Sequence, residues 1–471
     1  MKGVSTPLLL DPDRLFPADP ATRAIAGGLY ESVAGLPILS PHGHVAPSLL
    51  MDDEPFSDPA ELFITHDHYV TRLLHSAGVD LARLGVGRSA PGDPRQTWRT
   101  LAEHWQLLAG TASGYWLTHE LATLFDLRDE PSAETADASY DTISARLADP
   151  AYRPRALFER FGIEVLATTD DPMDDLSVHA ALGADPSFTG RVLPTFRPDA
   201  YLDPTATDFI ARVLRLTEWH GTAADDFAGY LAALEARRAH FIAHGAVSAD
   251  HGVSEPYTVD LGDDEAGALY RRAVAGNLDA AGAREFTGNM LLRMAGMSVR
   301  DGLVMTIHPG VHRNHSSAVF DRLGPDTGHD IPLTTTYTGN LRPLLQRHGL
   351  DPGLHLVLFS VDETAYSREI APLAGFYPSV FIGAPWWFLD APDAVLRFRA
   401  AVTETAGFSR GSGFIDDTRA FLSIPARHDM ARRLDSAFLA RLVREGRIPQ
   451  KTAERIIVEL VDILPRRVFK L

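Results

Sequence analysis

Three side chains of this sequence, His42, His44 and Asp417, have the types and placement to hold a divalent cation. The histidines stand in Ser40-Pro41-His42-Gly43-His44, which closes a short apolar run. Side chains two apart on an extended segment point the same way, so both imidazoles can reach one ion at about 2.0–2.1 Å. Gly43 removes side-chain bulk between them. Such a pair is not specific by itself, because the chain has 19 histidines and His66-Asp67-His68 is a second example. Asp417, in Asp416-Asp417-Thr418-Arg419, closes another apolar run near the far end of the chain. An aspartate there could instead cap the next helix, with Arg419 as its counterion. That alternative suits Asp416 better than Asp417.

A second group of residues could bind an anion. Arg197, in Pro194-Thr195-Phe196-Arg197-Pro198, and Arg313, in His308-Pro309-Gly310-Val311-His312-Arg313, each follow an apolar run. A guanidinium offers two parallel donors that match a carboxylate, although a surface loop arginine is the ordinary alternative. Tyr69, just after His66-Asp67-His68, would titrate near 10 if unperturbed and could serve as an acid/base partner beside cations. Its alternative role is packing.

The elements that must position these groups are eight apolar segments: Leu36 to His42, Ile163 to Thr169, Arg191 to Phe196, Gly245 to Asp250, Leu303 to His308, Leu354 to Ser360, Val380 to Ala384 and Gly413 to Asp417. They show little alternation, as strands buried on both faces do. Stretches of helical period separate them; in Asp225 to Ala243, Phe227, Leu231, Leu234 and Ile242 recur at three- and four-residue steps. This alternation predicts an α/β fold, a distorted (β/α)8 TIM-like barrel whose chemistry lies at the C-terminal ends of the strands. The residues at those ends are His42 and His44, Asp170 and Asp171, Arg197, Asp250 and His251, His308, Asp362 and Glu363, Trp386 and Trp387, and Asp417 with Arg419. The barrel is expected from residues 1–44 and 161–471. Residues 45–160 are too long for one loop, and carry helical signals over Pro59 to Ala77, Thr97 to Leu108, Tyr115 to Leu127 and Ser139 to Leu147. They are expected to form a helical insertion after strand one, at the catalytic rim.

Composition narrows the chemistry. Among 471 residues there is no cysteine, so a metal must be held by His, carboxylate, carbonyl or water, which favours zinc, manganese or a similar divalent ion over iron–sulfur chemistry. The only lysines are Lys2, Lys451 and Lys470, which argues against a Schiff base, a Walker-type phosphate loop and a carbamylated lysine. A net charge of -18 makes nucleic acid and anionic membrane poor partners. Met1 to Asp11 does not read as a signal peptide, and no run approaches a membrane span. A cytoplasmic enzyme is expected.

Taken together, Pro41 to His44, Asp67-His68-Tyr69, Thr168 to Pro172, Val192 to Asp199, His244-Gly245 with Ser248 to His251, His308 to Asn314, Gly324-Pro325-Asp326, Trp386-Trp387-Phe388 and Asp417-Thr418-Arg419 resemble the uronate (glucuronate) isomerases, a branch of the amidohydrolase superfamily. The resemblance runs in order from residue 40 to about 430. It implies aldose–ketose isomerisation of hexuronates: D-glucuronate to D-fructuronate and D-galacturonate to D-tagaturonate. It implies one divalent metal, zinc first, on His42, His44 and Asp417. It further implies that His68, Arg197, His308, Arg313 and Trp386 contact the sugar acid, that Asp417, Tyr69 and Arg419 handle protons, and that the enzyme is a homo-oligomer. Two departures from the family pattern stand out: Ser40 replaces the usual aspartate two residues before the first histidine, and one residue is inserted between Ser423 and Arg427. A metal-dependent amidohydrolase or deaminase-type hydrolase could use the same ligands. A non-catalytic sugar-acid-binding barrel is the remaining alternative.

Overall fold

The computed structural model describes residues 7–471; Lys2 and the first part of the leading stretch lie outside the described residues. Among the described residues there are ten strands: β1 Ile38–Ser40, β2 Ile163–Ala167, β3 Arg191–Leu193, β4 Thr195–Phe196, β5 Ser248–Val253, β6 Val304–Pro309, β7 Val311–His312, β8 Ile331–Pro332, β9 Leu356–Leu358 and β10 Val380–Ile382. They form two parallel sheets, ordered β1-β2-β3 and β10-β9-β6-β5-β4, and an antiparallel ribbon of β7 with β8. Strands β6, β9 and β10 are buried at every position. Mostly apolar strands buried in this way need cover on both faces, from helices on one side and from other side chains on the other.

The two parallel sheets continue into one another. Strands β3 and β4 are one segment interrupted at Pro194, which has no N–H to give to a ladder. An isolated parallel bridge joins Asp170, beyond β2, to Phe196. At the other edge Ile382 bridges Gly411 in parallel, and the His44 amide donates to the Thr418 carbonyl at 3.0 Å. The segment 411–418 therefore lies between β10 and the residues following β1.

The expected eighth strand, Gly413 to Asp417, is not a strand. Gly413 has φ +80° and Asp417 φ +42°, outside the extended region, and a side chain at Gly413 would collide with Pro465 at 2.6 Å. The expected first strand shrinks to three residues for a related reason: Pro37 and Pro41 flank β1, and its register with β2 shifts after Ile38. His42 and His44 thus sit beyond the strand, not on it. Strand β5 runs further than expected, so Asp250 and His251 lie within it.

Helices flank the sheets. Phe227–Ala243 begins at Asp226, whose side chain accepts from the Ala228 amide, and Ala280–Asp301 begins at Asp279 and stops at Gly302 with φ +84°, the usual chemistry of a helix start and stop. The largest core cluster joins Phe196, Met305, Ile307, Leu356 and Ile382 of the strands to Tyr230, Phe286 and Met290 of the helices. A second cluster joins Ile38, Ile163 and Leu166 to Phe63, Trp98, Leu121, Phe125 and Ile143. In this second region the helices are Pro47–Asp52, His68–Ser76, Pro94–Glu103, Ala112–Thr123, Ala136–Leu147 and Pro154–Arg160. The expected helix from Pro59 to Ala77 is broken into a π-helical turn at Glu61–Thr65 and a helix restarting at His68. The break has a local cause. The Asp67 carboxylate accepts from the Tyr69 and Val70 amides at 2.8 and 3.3 Å and so opens a new helix at the residue before His68.

Candidate active site

A cavity of about 980 Å³ opens where the C-terminal ends of the parallel strands meet the helices that follow β1, and it is lined by His42, His44, His68, Tyr69, Arg197, Asp250, His308, Arg313, Trp386, Asp417 and Arg419, among others. Asp417 is brought to the histidines by the irregular turn at its positive φ. Its Oδ1 lies 3.0 Å from His44 Nε2 and 3.4 Å from His42 Nε2. One ligand atom from each of the three lies within 4.8 Å of the others. Burial opposes ionisation of Asp417, but the hydrogen bonds and charges of the two imidazoles hold it well below the usual carboxylate range. Burial lowers His44. For His42 burial acts the same way, but Asp250 and Asp417 outweigh it and raise the ring.

The donor set suits a divalent ion. Two imidazoles and a carboxylate converge with His42 Nε2 and His44 Nε2 both aimed at Asp417 Oδ1, and a buried set of these donor types is one that a divalent ion can share. Ser40, in the place of the usual aspartate, is fully buried, and its hydroxyl has no partner.

Beside this group His308 is fixed from all sides. Its ring stacks on His42 at 4.7 Å and on Phe359 at 3.9 Å, and Trp386 meets it edge-on at 4.9 Å. Its Nδ1 lies 2.6 Å from Asp250 Oδ1, which also accepts from Thr306 Oγ1 at 2.6 Å. Burial opposes the charge on Asp250, yet His308, His42 and Arg197 keep it well below the ordinary range. An imidazole held this way presents its other nitrogen in one orientation.

The expected carboxylate readers already carry partners. Arg197 donates from Nε to Asp199 at 2.8 Å and lies 3.5 Å from Asp250; Asp199 in turn accepts from the Gly252 amide at 2.9 Å. Burial disfavours the guanidinium charge, but Asp199 and Asp250 over-compensate and raise Arg197. Arg313 bonds Asp330 at 2.8 Å and covers the Trp387 ring at 5.1 Å. Arg419 stands at the mouth, 45% exposed and 4.0 Å from Asp326. Tyr69 packs edge-on against Trp116 and Phe388. Burial raises its phenol, with Arg427 opposing, so the hydroxyl keeps its proton at neutral pH. His68 is lowered by burial, and its Nε2 has no partner.

Several expected rim residues are elsewhere. His66, of the second His-x-His pair, is not among them; it lies 3.6 Å from Glu61 at the edge of the cavity. Asp170 accepts from Thr168 Oγ1 and the Thr195 amide. Asp171 pairs with Arg212 and Tyr201, Glu363 with Arg397, and Asp362 caps a short helix. His251 points away, with Nδ1 3.0 Å from the Thr306 carbonyl. Asp170, Asp171, His251, Asp362 and Glu363 bond within or cap elements and do not line the cavity, whereas His66 borders it. Conversely Asp199, Asn314 and Asp330 take part in or border the site without having been assigned roles. Asn314 at φ +54° and Asp330 belong to the excursion between β7 and β8, whose sequence signals were the end of the His308 to Asn314 block and Gly324-Pro325-Asp326.

The family profile described as glucuronate isomerase matches residues 20–464. The chain belongs to the glucuronate isomerase family. It is 52% identical to the uronate isomerase of Corynebacterium efficiens over 469 residues, covering 99% of this chain and 100% of that protein. The crystal structure of glucuronate isomerase from Caulobacter crescentus superposes with a TM-score of 0.97 at 48% identity, covering 99% and 98% of the two chains. Uronate isomerase from Thermotoga maritima superposes with a TM-score of 0.91 at 27% identity, covering 98% and 99%. The glucuronate isomerase family converts glucuronate and fructuronate, and this enzyme is an isomerase. The hydrolase alternative, built on the same ligands, finds no support.

Proposed function

We propose that the enzyme interconverts D-glucuronate with D-fructuronate, and D-galacturonate with D-tagaturonate, by proton transfer through a cis-enediol in the 980 Å³ cavity. The observation that carries the reading is the convergence on one cavity of His42, His44 and Asp417 with His68, Tyr69, Arg197, His308, Arg313, Trp386 and Arg419. Asp417 takes the proton from C2 while Tyr69 gives one to the C1 carbonyl oxygen; the enediol then gives its O2 proton to the Tyr69 phenolate and takes the proton held by Asp417 at C1, giving the ketose and restoring both residues. Tyr69, kept neutral by burial, suits the donor's part, and Asp417, kept ionised, suits the base. Arg419 holds developing negative charge at the oxygens. His68, Arg197, His308, Arg313 and Trp386 orient the sugar acid. His42, His44 and Asp417 would hold one divalent ion, zinc first and manganese or another second, and when bound it would supply Lewis acidity.

In the same proposal the parallel run is a (β/α)8 barrel with 411–418 as its irregular eighth member, formed by residues 1–44 and 161–471, and 45–160 are a helical insertion. The neighbour contacts around Gly411, Thr418 and His44 support this closure. Among the described residues no helix is long and apolar enough to cross a membrane. A cytoplasmic homo-oligomer without nucleic-acid partners completes the reading, and light scattering reads the oligomeric state. The decisive experiment follows C1 and C2 of each hexuronate by NMR in deuterium oxide. Ketose carrying some solvent deuterium is expected, and Asp417→Asn should abolish both turnover and exchange, because an amide cannot accept the proton. Ketose formed without deuterium at any extent of reaction would refute proton transfer.

A further inference from the structure

Arg427 lies on the first turn of helix Ile424–Arg444, and is 3% exposed. Its Nη1 donates to Asp390 Oδ2 at 2.8 Å and reaches the Asp416 carbonyl at 3.5 Å, and its Nε donates to Ser423 Oγ at 3.0 Å. The guanidinium carbon lies 3.5 Å from the centre of the Trp116 ring, whose edge meets Tyr69 at 6.0 Å between centroids. One planar group thus touches three segments far apart in sequence. They are the loop that carries Trp386 and Trp387, the peptide just before Asp417, and the tryptophan that backs Tyr69.

We infer that Arg427 is a positioning residue, fixing the Asp417 turn and Tyr69 relative to each other through Asp390, the Asp416 carbonyl and Trp116; the inference rests on the reading of Asp417 and Tyr69 as the proton-handling groups. Two physical points favour geometry over mere cohesion. Asp417 is held at φ +42°, a conformation that persists only where surrounding contacts enforce it. A buried ion pair is also a poor source of stability, since an apolar pair of the same volume often serves as well, and both side chains of the Arg427–Asp390 pair are buried. What an apolar pair cannot do is hold the flat stacking on Trp116 and the bond to the Asp416 carbonyl together. A misplacement of about 1 Å between reacting groups can lower the rate about 10²-fold.

The test compares Arg427→Met, Arg427→Lys and Asp390→Leu/Arg427→Met with the parent enzyme. Measured are kcat and KM for D-glucuronate, metal content, thermal midpoint and the C2-deuterium isotope effect. Arg427→Met leaves Asp390 buried without a partner and can fail to fold for that reason alone. The double variant removes both charges and Arg427→Lys keeps them, so these two decide. The expected result is a folded, metal-loaded protein in both, with kcat down about tenfold to 10²-fold, KM within about threefold, and a larger isotope effect as proton transfer becomes slower. Parent-like kcat in the folded double variant, or loss of kcat that merely follows metal loss or melting, overturns the inference. Failure of both deciding variants to fold overturns it too, because Arg427 would then be structural. Asp417→Asn in the same series keeps the two readings apart. If it remains active, the assignment of Asp417 falls; if it is dead while the double variant is fully active, only the role of Arg427 falls.

Discussion

Gly252→Ala would test how the enzyme holds Arg197 without touching Arg197. Gly252 is in β5, its backbone lies outside the positive-φ region, and an added Cβ would sit 2.7 Å from Arg197 Nη2 and 2.7 Å from Asp199 Oδ2. Neither distance is tolerable, so the Arg197–Asp199 pair must shift. Both clashing atoms are the ends of flexible side chains and the alanine has no backbone strain, so the fold should survive with the thermal midpoint lowered by no more than about 4 °C. The functional cost is larger. If Arg197 makes one charge-assisted hydrogen bond to the substrate, its loss costs about 1.5–3 kcal/mol, or roughly 10- to 150-fold in kcat/KM. A coupled assay for ketose formation from D-glucuronate gives the rate, and a melt gives the stability. Arg197→Met should show a loss of the same order, confined to acidic sugars. A Gly252→Ala enzyme within about twofold of the parent in kcat/KM would refute the reasoning, because the seat between β5 and Asp199 would then not matter.

Replacing His42 and His44 together by alanine should take metal content from about one divalent ion per chain to near zero while the protein stays folded, read by elemental analysis and circular dichroism; full occupancy in the variant would remove those residues from the ligand set. Glu120, 4% exposed, is raised by burial to about 8, with Asp67 adding to the shift and Arg427 opposing it. A carboxyl raised in the folded state binds its proton more tightly there, so this term favours folding at low pH and is lost as pH rises from about 4.5 through about 8. Glu120→Gln should therefore flatten that slope and gain on the order of 3–5 kcal/mol over the parent near pH 8; parallel melting curves across the range would refute the assignment. Arg399 and Asp435, 6% and 4% exposed, make a two-point ion pair at 2.5 and 2.8 Å. Asp435→Ala should cost about 3–5 kcal/mol in denaturant unfolding, with Arg399→Leu/Asp435→Leu close to neutral. Equal losses in the single and double variants would contradict this.

Much of the protein was legible in one dimension because burial leaves a mark on residue type. Strands buried on both faces are dominated by apolar residues, so β2, β6, β9 and β10 were located to within a few residues, and helices on the solvent side must repeat near 3.6, so Phe227–Ala243 was placed to within two. The clustering of histidine, arginine, tryptophan and aspartate after those runs likewise pointed to the residues that share the cavity. Prolines and glycines gave a weaker signal than they deserved: Pro41 and Pro194 cut ladders, and Gly413 with Asp417 takes the chain out of the extended region where apolar residues alone suggested a strand. Tertiary structure decided everything that depends on partners. Nothing local separates Asp417, which meets two imidazoles, from Asp170, which bonds Thr168 and Thr195, or the half-buried His68 from the exposed His66 beside Glu61. Nor does sequence reveal that Arg197 is already engaged by Asp199 and Asp250, or that Trp116 supports Arg427 from more than three hundred residues away. A side chain's chemistry is set by which charges and dipoles surround it after folding, and those neighbours come from segments whose order along the chain carries no trace of the contact.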